Sequence, residues 1–417
     1  MTQRSGSESA TGHDELDAVP IAPRDHDQWA ASSLVLSLGF GLTGAATVML
    51  GVLLPVLSRK WGLRDDAAGF LLFLQFLGSS LGALLVGSRR VRGLISGYAL
   101  LAACACALAF TGMYFSFVLF FFFGLGLGAT MTATSLLFSD RYALDRAAQL
   151  ERLNFAWAVG ATAGPILFLP FLHLPSLELL FFMLLALCLL FLLWAILREK
   201  EAPLPTPCAQ DAAPTQGGAT TRFLLPLLLM CICSVGIEAS LSGWLSTYSH
   251  RADSTSAGGA AFAASLFWFG IMVSRLAFST RLLKLVGRRR LFHAILWGVA
   301  ACLALLVAAY HPAPIRAAAF FAGLSIGPLY PLLLSFILQR ASRGWIFAVP
   351  GIGSALLPWI TGLLSARFGS LHYGLIAPCA AAGLMIALSF TAPLTVEPQP
   401  SASARDSGRS SLRQPIF

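Results

Sequence analysis

The chain has 417 residues, 57% of them hydrophobic and only 11% charged, with a net charge of +9. A soluble domain carries about 25% charged residues, so the composition excludes an ordinary soluble protein and points to one that crosses a membrane many times. The surplus of arginine and lysine then belongs to loops on one side of a bilayer; no RNA or DNA motif accompanies it, and no nucleic-acid partner is expected.

The first 28 residues are polar and acidic-leaning, with Glu8, Asp14, Glu15, Asp17, Asp25 and Asp27 against Arg4 and Arg24. They read as a cytoplasmic tail rather than a signal peptide. Twelve apolar segments follow, each near the ~20 residues that a bilayer requires. They run approximately 29–57, 67–87, 92–112, 114–138, 150–172, 176–197, 223–248, 259–280, 291–310, 314–339, 345–366 and 371–392. Segment 1 is long, and is expected to end near Pro55 or to tilt. The stretch 198–222 holds Pro203, Pro205, Pro207, Gly217 and Gly218, the composition of a flexible linker. The expected organisation is a tail over 1–28, a six-helix bundle over 29–198, a cytoplasmic linker over 199–221, a second six-helix bundle over 222–394 and a cytoplasmic tail over 395–417.

With both ends inside, the inner loops collect sixteen arginines and lysines, among them Arg89, Arg90, Arg141, Arg288, Arg289 and Arg340. The outer loops hold six: Arg59, Lys60, Arg64, Arg251, Arg316 and Arg367. This bias predicts cytoplasmic termini and a multi-pass protein of the inner (plasma) membrane. Seven of the eight cysteines fall in apolar segments and Cys208 in the linker, which reads as packing rather than a disulfide framework. Cys231-x-Cys233 directs its thiols to different sides of a helix, poor geometry for a metal, and no cofactor is expected.

The two halves repeat. Phe122-Phe123-Gly124-Leu125-x-Leu127-Gly128 returns as Phe321-Ala322-Gly323-Leu324-x-Ile326-Gly327, each followed by an arginine, Arg141 and Arg340. Gly160 precedes Pro165 by five residues, as Gly353 precedes Pro358. Segments 2 and 8 match more weakly, with Phe76 aligned to Phe269 and Gly82 to Arg275. The matches join segments six apart, so the repeat is parallel at the level of halves.

Four stretches make the chain resemble the major facilitator superfamily. They are Leu153-Asn154-Phe155-Ala156-Trp157-Ala158-Val159-Gly160 running to Gly164-Pro165; Gly236-Ile237-Glu238 with Gly243-Trp244-Leu245 and Tyr248; Phe267-Trp268 with Ser274-Arg275-Leu276; and the stretch from Gly323 through Pro328, Tyr330 and Pro331, followed by Gly351-Ile352-Gly353 and Pro358-Trp359. The chain is most similar to the fucose–proton symporter-like, sugar-transporter-like branch. The resemblance implies an all-α integral membrane fold: twelve transmembrane helices in two six-helix bundles, rocking about a central cavity lined by segments 1, 4, 7 and 10. Two departures stand out. The loop Gly87-Ser88-Arg89-Arg90-Val91-Arg92-Gly93 keeps the basic character of the superfamily motif but lacks its aspartate. Segment 1 has no carboxylate, and segment 4 has only Asp140 at its inner end.

Ser234, Glu238 and Ser242 are spaced by four and share one face of segment 7. A charge near the bilayer centre costs about 2.5–3.5 kcal/mol on insertion scales, so Glu238, and Arg275 in segment 8, mark the working core. A carboxyl able to take a proton from either side is what proton coupling requires, and Glu238 is assigned that role; a neutral acid tying helices together is the alternative. Arg275 is read as gating or structural. With a rise of ~1.5 Å per residue it lies on the order of 10 Å from the depth of Glu238 in upright helices, so a direct pair needs tilt and long rotamers. Arg89, Arg90, Arg288 and Arg289 join it as gating or structural residues. Solute contacts are expected from Gln75, Asn154, Trp157, Ser242, Trp244, Trp268, Tyr330 and Trp359, because rings beside polar groups suit a sugar face or an apolar drug. Each ring has packing or interfacial anchoring as its plain alternative. Thr130, Thr132 and Thr134 either line the path or bond back to their own helix.

The expected function is secondary active transport of a small, sugar-like solute by a non-enzymatic monomer in the lipid bilayer, coupled to a proton or another ion. A proton-driven exporter of drugs or other lipophilic compounds is the first alternative, and a non-transporting membrane sensor the second. No His/Asp/Glu or Ser/His cluster lies in the spans, and no nucleotide-binding loop supports a primary pump.

Overall fold

The structure is a computed structural model and describes residues 26–87, 89–142, 146–167, 177–198, 221–252, 257–277, 288–338 and 348–391. Every regular element among them is a helix. The first half holds α1 (His26–Trp61), α2 (Asp65–Leu85), α3 (Arg90–Phe110), α4 (Met113–Arg141), α5 (Arg146–Leu167) and α6 (Leu177–Arg198). The second holds α7 (Thr221–Ala252), α8 (Ala257–Ala277), α9 (Arg288–Ala308), α10 (Pro312–Ile326), α11 (Leu329–Leu338), α12 (Pro350–Phe368), α13 (Leu371–Gly374) and α14 (Ile376–Thr391). Helices are the expected solution, because lipid offers the backbone no hydrogen-bond partner. Of the tails and linker read from composition, only the first residues of α1 and α7 fall within the described residues.

Ten stretches are long and apolar enough to cross a bilayer, α10 with α11 and α13 with α14 each counting as one. The remaining two spans, α5 and α12, have a physical reason to be less apolar. α5 packs against α1 and α8, and α12 against α7 and α2, so both lie where the halves meet and are flanked by protein. Elsewhere large apolar side chains face outward, as Leu85, Phe115, Phe191 and Phe390 do, which lipid accepts and water would not. Twelve spans in two six-helix bundles result.

Two spans differ from expectation. α1 does not end at Pro55 but continues to Trp61. Segment 10 is not one helix: it breaks at Gly327-Pro328, where the proline supplies no N–H and its ring obstructs the preceding turn.

The repeat is visible as packing. A Cβ on Gly124 would run into the carbonyl oxygen of Gln75, and one on Gly323 into that of Phe267. The missing side chains let α4 lie directly on α2, and α10 on α8. Gly78 meets the Phe121 carbonyl as Gly270 meets that of Phe320. This makes Gly78 and Gly270 equivalent and corrects the alignment of segments 2 and 8 by one residue, so Ala83 rather than Gly82 stands in the place of Arg275. Likewise Gly160 rests on Gly41 and Gly353 on Ile232. Six residues beyond Gly41 and Ile232 stand Thr47 and Glu238. The first half therefore builds the same helix packing with Thr47 and Ala83, and neither charge is demanded by the architecture.

Candidate functional site

A cavity of about 620 Å³ lies between the halves. α2 contributes Phe76, Ser79, Ser80 and Ala83, α4 Gly128 and Thr132, α5 Asn154 and Trp157, α7 Val235 and Glu238, α8 Arg275, α11 Tyr330 and α12 Gly351 and Ser354. These residues occupy the later parts of α2, α4 and α8 and the earlier parts of α5 and α12. The cavity therefore lies toward the side where α6 ends and α7 begins, the linker side.

The opposite side is shut. Arg251 at the end of α7 donates to both carboxylate oxygens of Asp65 at the start of α2, at 2.8 and 2.6 Å, and Ser365 of α12 donates to the same carboxylate. Arg59 and the His250 ring nitrogen lie 2.8 Å apart, joining the ends of α1 and α7. Trp359 of α12 packs on Phe70 and Phe73 of α2, with ring centroids 5.6 and 5.1 Å apart. Gly51 of α1 lies against the backbone of Ser242 and Gly243. These contacts join α1 and α2 to α7 and α12, so the two bundles meet on the far side, and among the described residues the cavity separates them toward the linker side.

Glu238 and Arg275 face one another at the cavity wall, with one carboxylate oxygen 4.0 Å from a guanidinium nitrogen and side chains 17% and 24% exposed. The depth difference expected for upright helices does not keep the two side chains apart. At that distance no hydrogen bond forms. Among the described residues neither side chain has a hydrogen-bond partner, and the Nε of Arg275 is fully buried without one. A pair held by charge alone leaves its hydrogen-bonding capacity unmet, which is expensive inside a membrane protein, so the groups that complete it belong in the cavity.

Asn154, Trp157 and Tyr330 stand in the same wall as this pair, so five residues singled out from sequence are brought together. Trp268 is not a lining residue but packs edge-on against Trp157, with ring centroids 5.0 Å apart, joining α8 to α5 across the halves. The indole nitrogens of both lack partners. Gln75 is buried beside the cavity and donates to the Thr47 carbonyl at 2.9 Å, leaving its own carbonyl oxygen unpaired. Trp244 is fully buried and donates to the Pro358 carbonyl at 2.8 Å, tying α7 to α12. Ser242 and Trp359 lie in the closed far side. Ser234 is buried with an unpaired hydroxyl, Thr132 lines the cavity, and Thr130 and Thr134 bond back to their own helix. Arg89 occupies the residue before α3 without a side-chain capping bond and Arg90 opens the helix, while Arg289 is exposed in the first turn of α9; the side chain of Arg288 lies outside the described residues. The contacts that sequence reasoning missed are Asp65, Arg251 and Ser365. Their one signal was an acidic pair at the head of segment 2, which finds its partner only through the fold.

Beside the cavity, between α5 and α8, runs a mostly apolar lateral groove of about 330 Å³. Phe155, Ala158, Met272 and Leu276 line it, and it shares Asn154 and Arg275 with the cavity.

The described architecture is matched by a solved structure of a mutant form of the nucleoside transporter NupG, with a TM-score of 0.67 and 11% identity, covering 86% of this chain and 98% of that one. No curated protein matches the chain by sequence. The family model of the Major Facilitator Superfamily matches residues 36–346, three quarters of the chain. With that match, twelve spans in two bundles and a cavity between them, the chain belongs to the major facilitator superfamily and is a multi-pass membrane transporter of a small solute.

Proposed function

We propose that this transporter couples the movement of a small polar solute to protons, by symport, with Glu238 as the proton-carrying group. The observation that carries the reading is the Glu238–Arg275 relationship: a carboxylate and a guanidinium 4.0 Å apart at the cavity wall, neither with a hydrogen-bond partner among the described residues. An ionised Glu238 is held by the positive charge opposite. Once protonated it is neutral and releases Arg275 to the cavity, where the solute's polar groups take over the guanidinium as the bundles rock. A cavity of about 620 Å³ falls in the size range of small-molecule sites, and Trp157 offers a ring face for stacking. The solved neighbour is a nucleoside transporter, and we add nucleosides to monosaccharides among the solutes to try. With both termini in the cytoplasm, as the arginine and lysine bias proposes, the structure is the inward-facing form of an alternating-access cycle. The protein is read as acting as a monomer in the inner membrane.

Uptake into proteoliposomes under an imposed inward proton gradient tests this. The expected result is gradient-driven accumulation of a polar solute, abolished in Glu238→Gln while counterflow exchange persists. Undiminished gradient-driven accumulation in the variant would remove Glu238 from the coupling role.

The lateral groove supports a second reading, export of lipophilic compounds, because it sets the apolar side chains of Phe155, Ala158, Met272 and Leu276 beside Asn154 and Arg275. Gradient-dependent extrusion of a lipophilic dye, without uptake of any polar solute, would select it.

A further inference from the structure

We infer that the solute carries a carboxylate, and that Arg275 is its binding group. The inference rests on the coupling role proposed for Glu238 and adds the chemistry of the cargo. A guanidinium stays charged at every physiological pH and carries five N–H donors in a planar fork. Arg275 directs none of them to a hydrogen-bond acceptor among the described residues, although it stands inside a span. Its neighbour across the cavity wall, Glu238, stops at 4.0 Å, outside hydrogen-bond range. The fork is thus occupied by charge and unoccupied by bonds, the condition in which a planar, bidentate acceptor gains most.

Charge balance gives the same answer. The titratable and charged groups facing Glu238 are Arg275 from α8 and Tyr330 from α11. Glu151 and Arg152 of α5 stand near Arg275 along the groove and offset one another. The stretch of α12 that lines the cavity, Pro350 to Ser354, has no charged side chain. With Glu238 ionised, the pair is neutral. If a proton enters with an uncharged solute, Arg275 is left as an uncompensated positive charge in a low-dielectric wall. If a proton enters with a monoanion, Glu238 is neutral, the carboxylate pairs with Arg275 and the site is neutral again. Only the second exchange returns the site to its starting charge. Among the other unsatisfied groups nearby, the buried indole nitrogens of Trp157 and its edge-on neighbour Trp268 are donors without partners, while the Gln75 carbonyl oxygen is an acceptor and the Ser234 hydroxyl can be either. Arg275 and the Trp157 N–H together give the wall donors for an anionic acceptor.

The test uses matched solutes that differ in the acid group: glucuronate against glucose, and lactate against glycerol, on the purified full chain. Binding is read by tryptophan fluorescence and by thermal protection in detergent, and transport by uptake into proteoliposomes. At least one acid is expected to bind and to enter under a proton gradient while its neutral partner does neither. Arg275→Gln is expected to weaken that binding about 30-fold or more, and Arg275→Lys to recover part of it. Uptake of an anion with one proton moves no net charge, so an imposed membrane potential leaves its initial rate unchanged. Proton-driven uptake of a neutral solute, accelerated by an inside-negative potential, would uphold the role of Glu238 and overturn the carboxylate. Binding of an acid through Arg275 without proton-driven uptake would uphold the carboxylate and overturn the coupling. If neither acid perturbs the fluorescence or the thermal stability of the parent chain, the inference is wrong.

Discussion

Arg251 grips Asp65 with two guanidinium nitrogens, at 2.8 and 2.6 Å, and so fastens the end of α7 to the start of α2 on the side away from the cavity. The pair spans the two halves, and Ser365 of α12 adds a third element to the same carboxylate. Alternating access requires this latch to break in every cycle, because the halves part on one side only by closing on the other. Its strength must therefore be modest, and its geometry agrees: Asp65 is 11% exposed and Arg251 44% exposed, so water screens the charge as the latch loosens.

Removing the latch is expected to shift the resting conformation. Asp65→Asn forfeits about 1 kcal/mol of closed-side stability, a change of about fivefold in the balance between the two forms. A cysteine in place of Ser242, in a chain whose native cysteines are replaced, reports it. Its labelling by a membrane-impermeant maleimide rises when Asp65→Asn is added. Unchanged labelling would show that the aromatic packing of Trp359 on Phe70 and Phe73 alone keeps this side shut.

The glycines that seat α4 on α2 and α10 on α8 are expected to respond alike, because they occupy equivalent places in the repeat. A Cβ at Gly124 or Gly323 meets a carbonyl oxygen of the neighbouring helix, and backbone cannot step aside as a side chain can. Gly124→Ala and Gly323→Ala should each cost about 1–3 kcal/mol, the usual penalty of overpacking. Gly383, which has open space around it, provides the control; Gly383→Ala should leave thermal unfolding in detergent unchanged.

Tyr248 is expected to matter for stability rather than transport. Its hydroxyl donates to the Leu306 and Ala309 carbonyls at the end of α9 and lies 3.0 Å from the Nδ1 of His372. Those carbonyls close a helix terminus, where among the described residues only the Leu306 carbonyl also accepts a backbone N–H, that of Ala309 at 3.2 Å. Tyr248→Phe keeps the ring and removes the donor, at a cost of about 1 kcal/mol. Lower thermal stability with normal solute affinity is the expected outcome, and a changed affinity with unchanged stability would contradict it.

Glu238 and Arg275 should prove energetically linked in the resting protein. Either charge alone is uncompensated, so Glu238→Gln and Arg275→Gln each destabilise the fold, and the double variant loses less than the two losses combined. A coupling of about 1–3 kcal/mol is expected from a double-mutant cycle on unfolding in detergent. Strict additivity would mean that water, rather than the opposite charge, solvates each group.

The residue order gave the twelve spans and their parallel repeat, and the resemblance it carries implied the two bundles; the break in segment 10 and the register of segments 2 and 8 came from the fold. Spans of apolar residues announce themselves because lipid tolerates little else, and the glycine motifs of α4 and α10 repeat because two bundles solve one packing problem. Glu238 and Arg275 were legible for the same reason: a charge inside a span is costly and therefore conspicuous. Their meeting at 4.0 Å was not legible, since separation along two helices says nothing about tilt. The parting of the aromatic candidates was hidden too. Trp157 faces the cavity, Trp244 disappears into the α7–α12 contact and Trp359 closes the far side, although all three are tryptophans among apolar neighbours. Side-chain chemistry makes a ring buried; the neighbouring helix determines whether it meets a solute or a backbone carbonyl. The Asp65–Arg251 latch lies furthest from sequence reasoning, because its partners are remote in the chain and become neighbours only when the bundles close together on the side opposite the cavity.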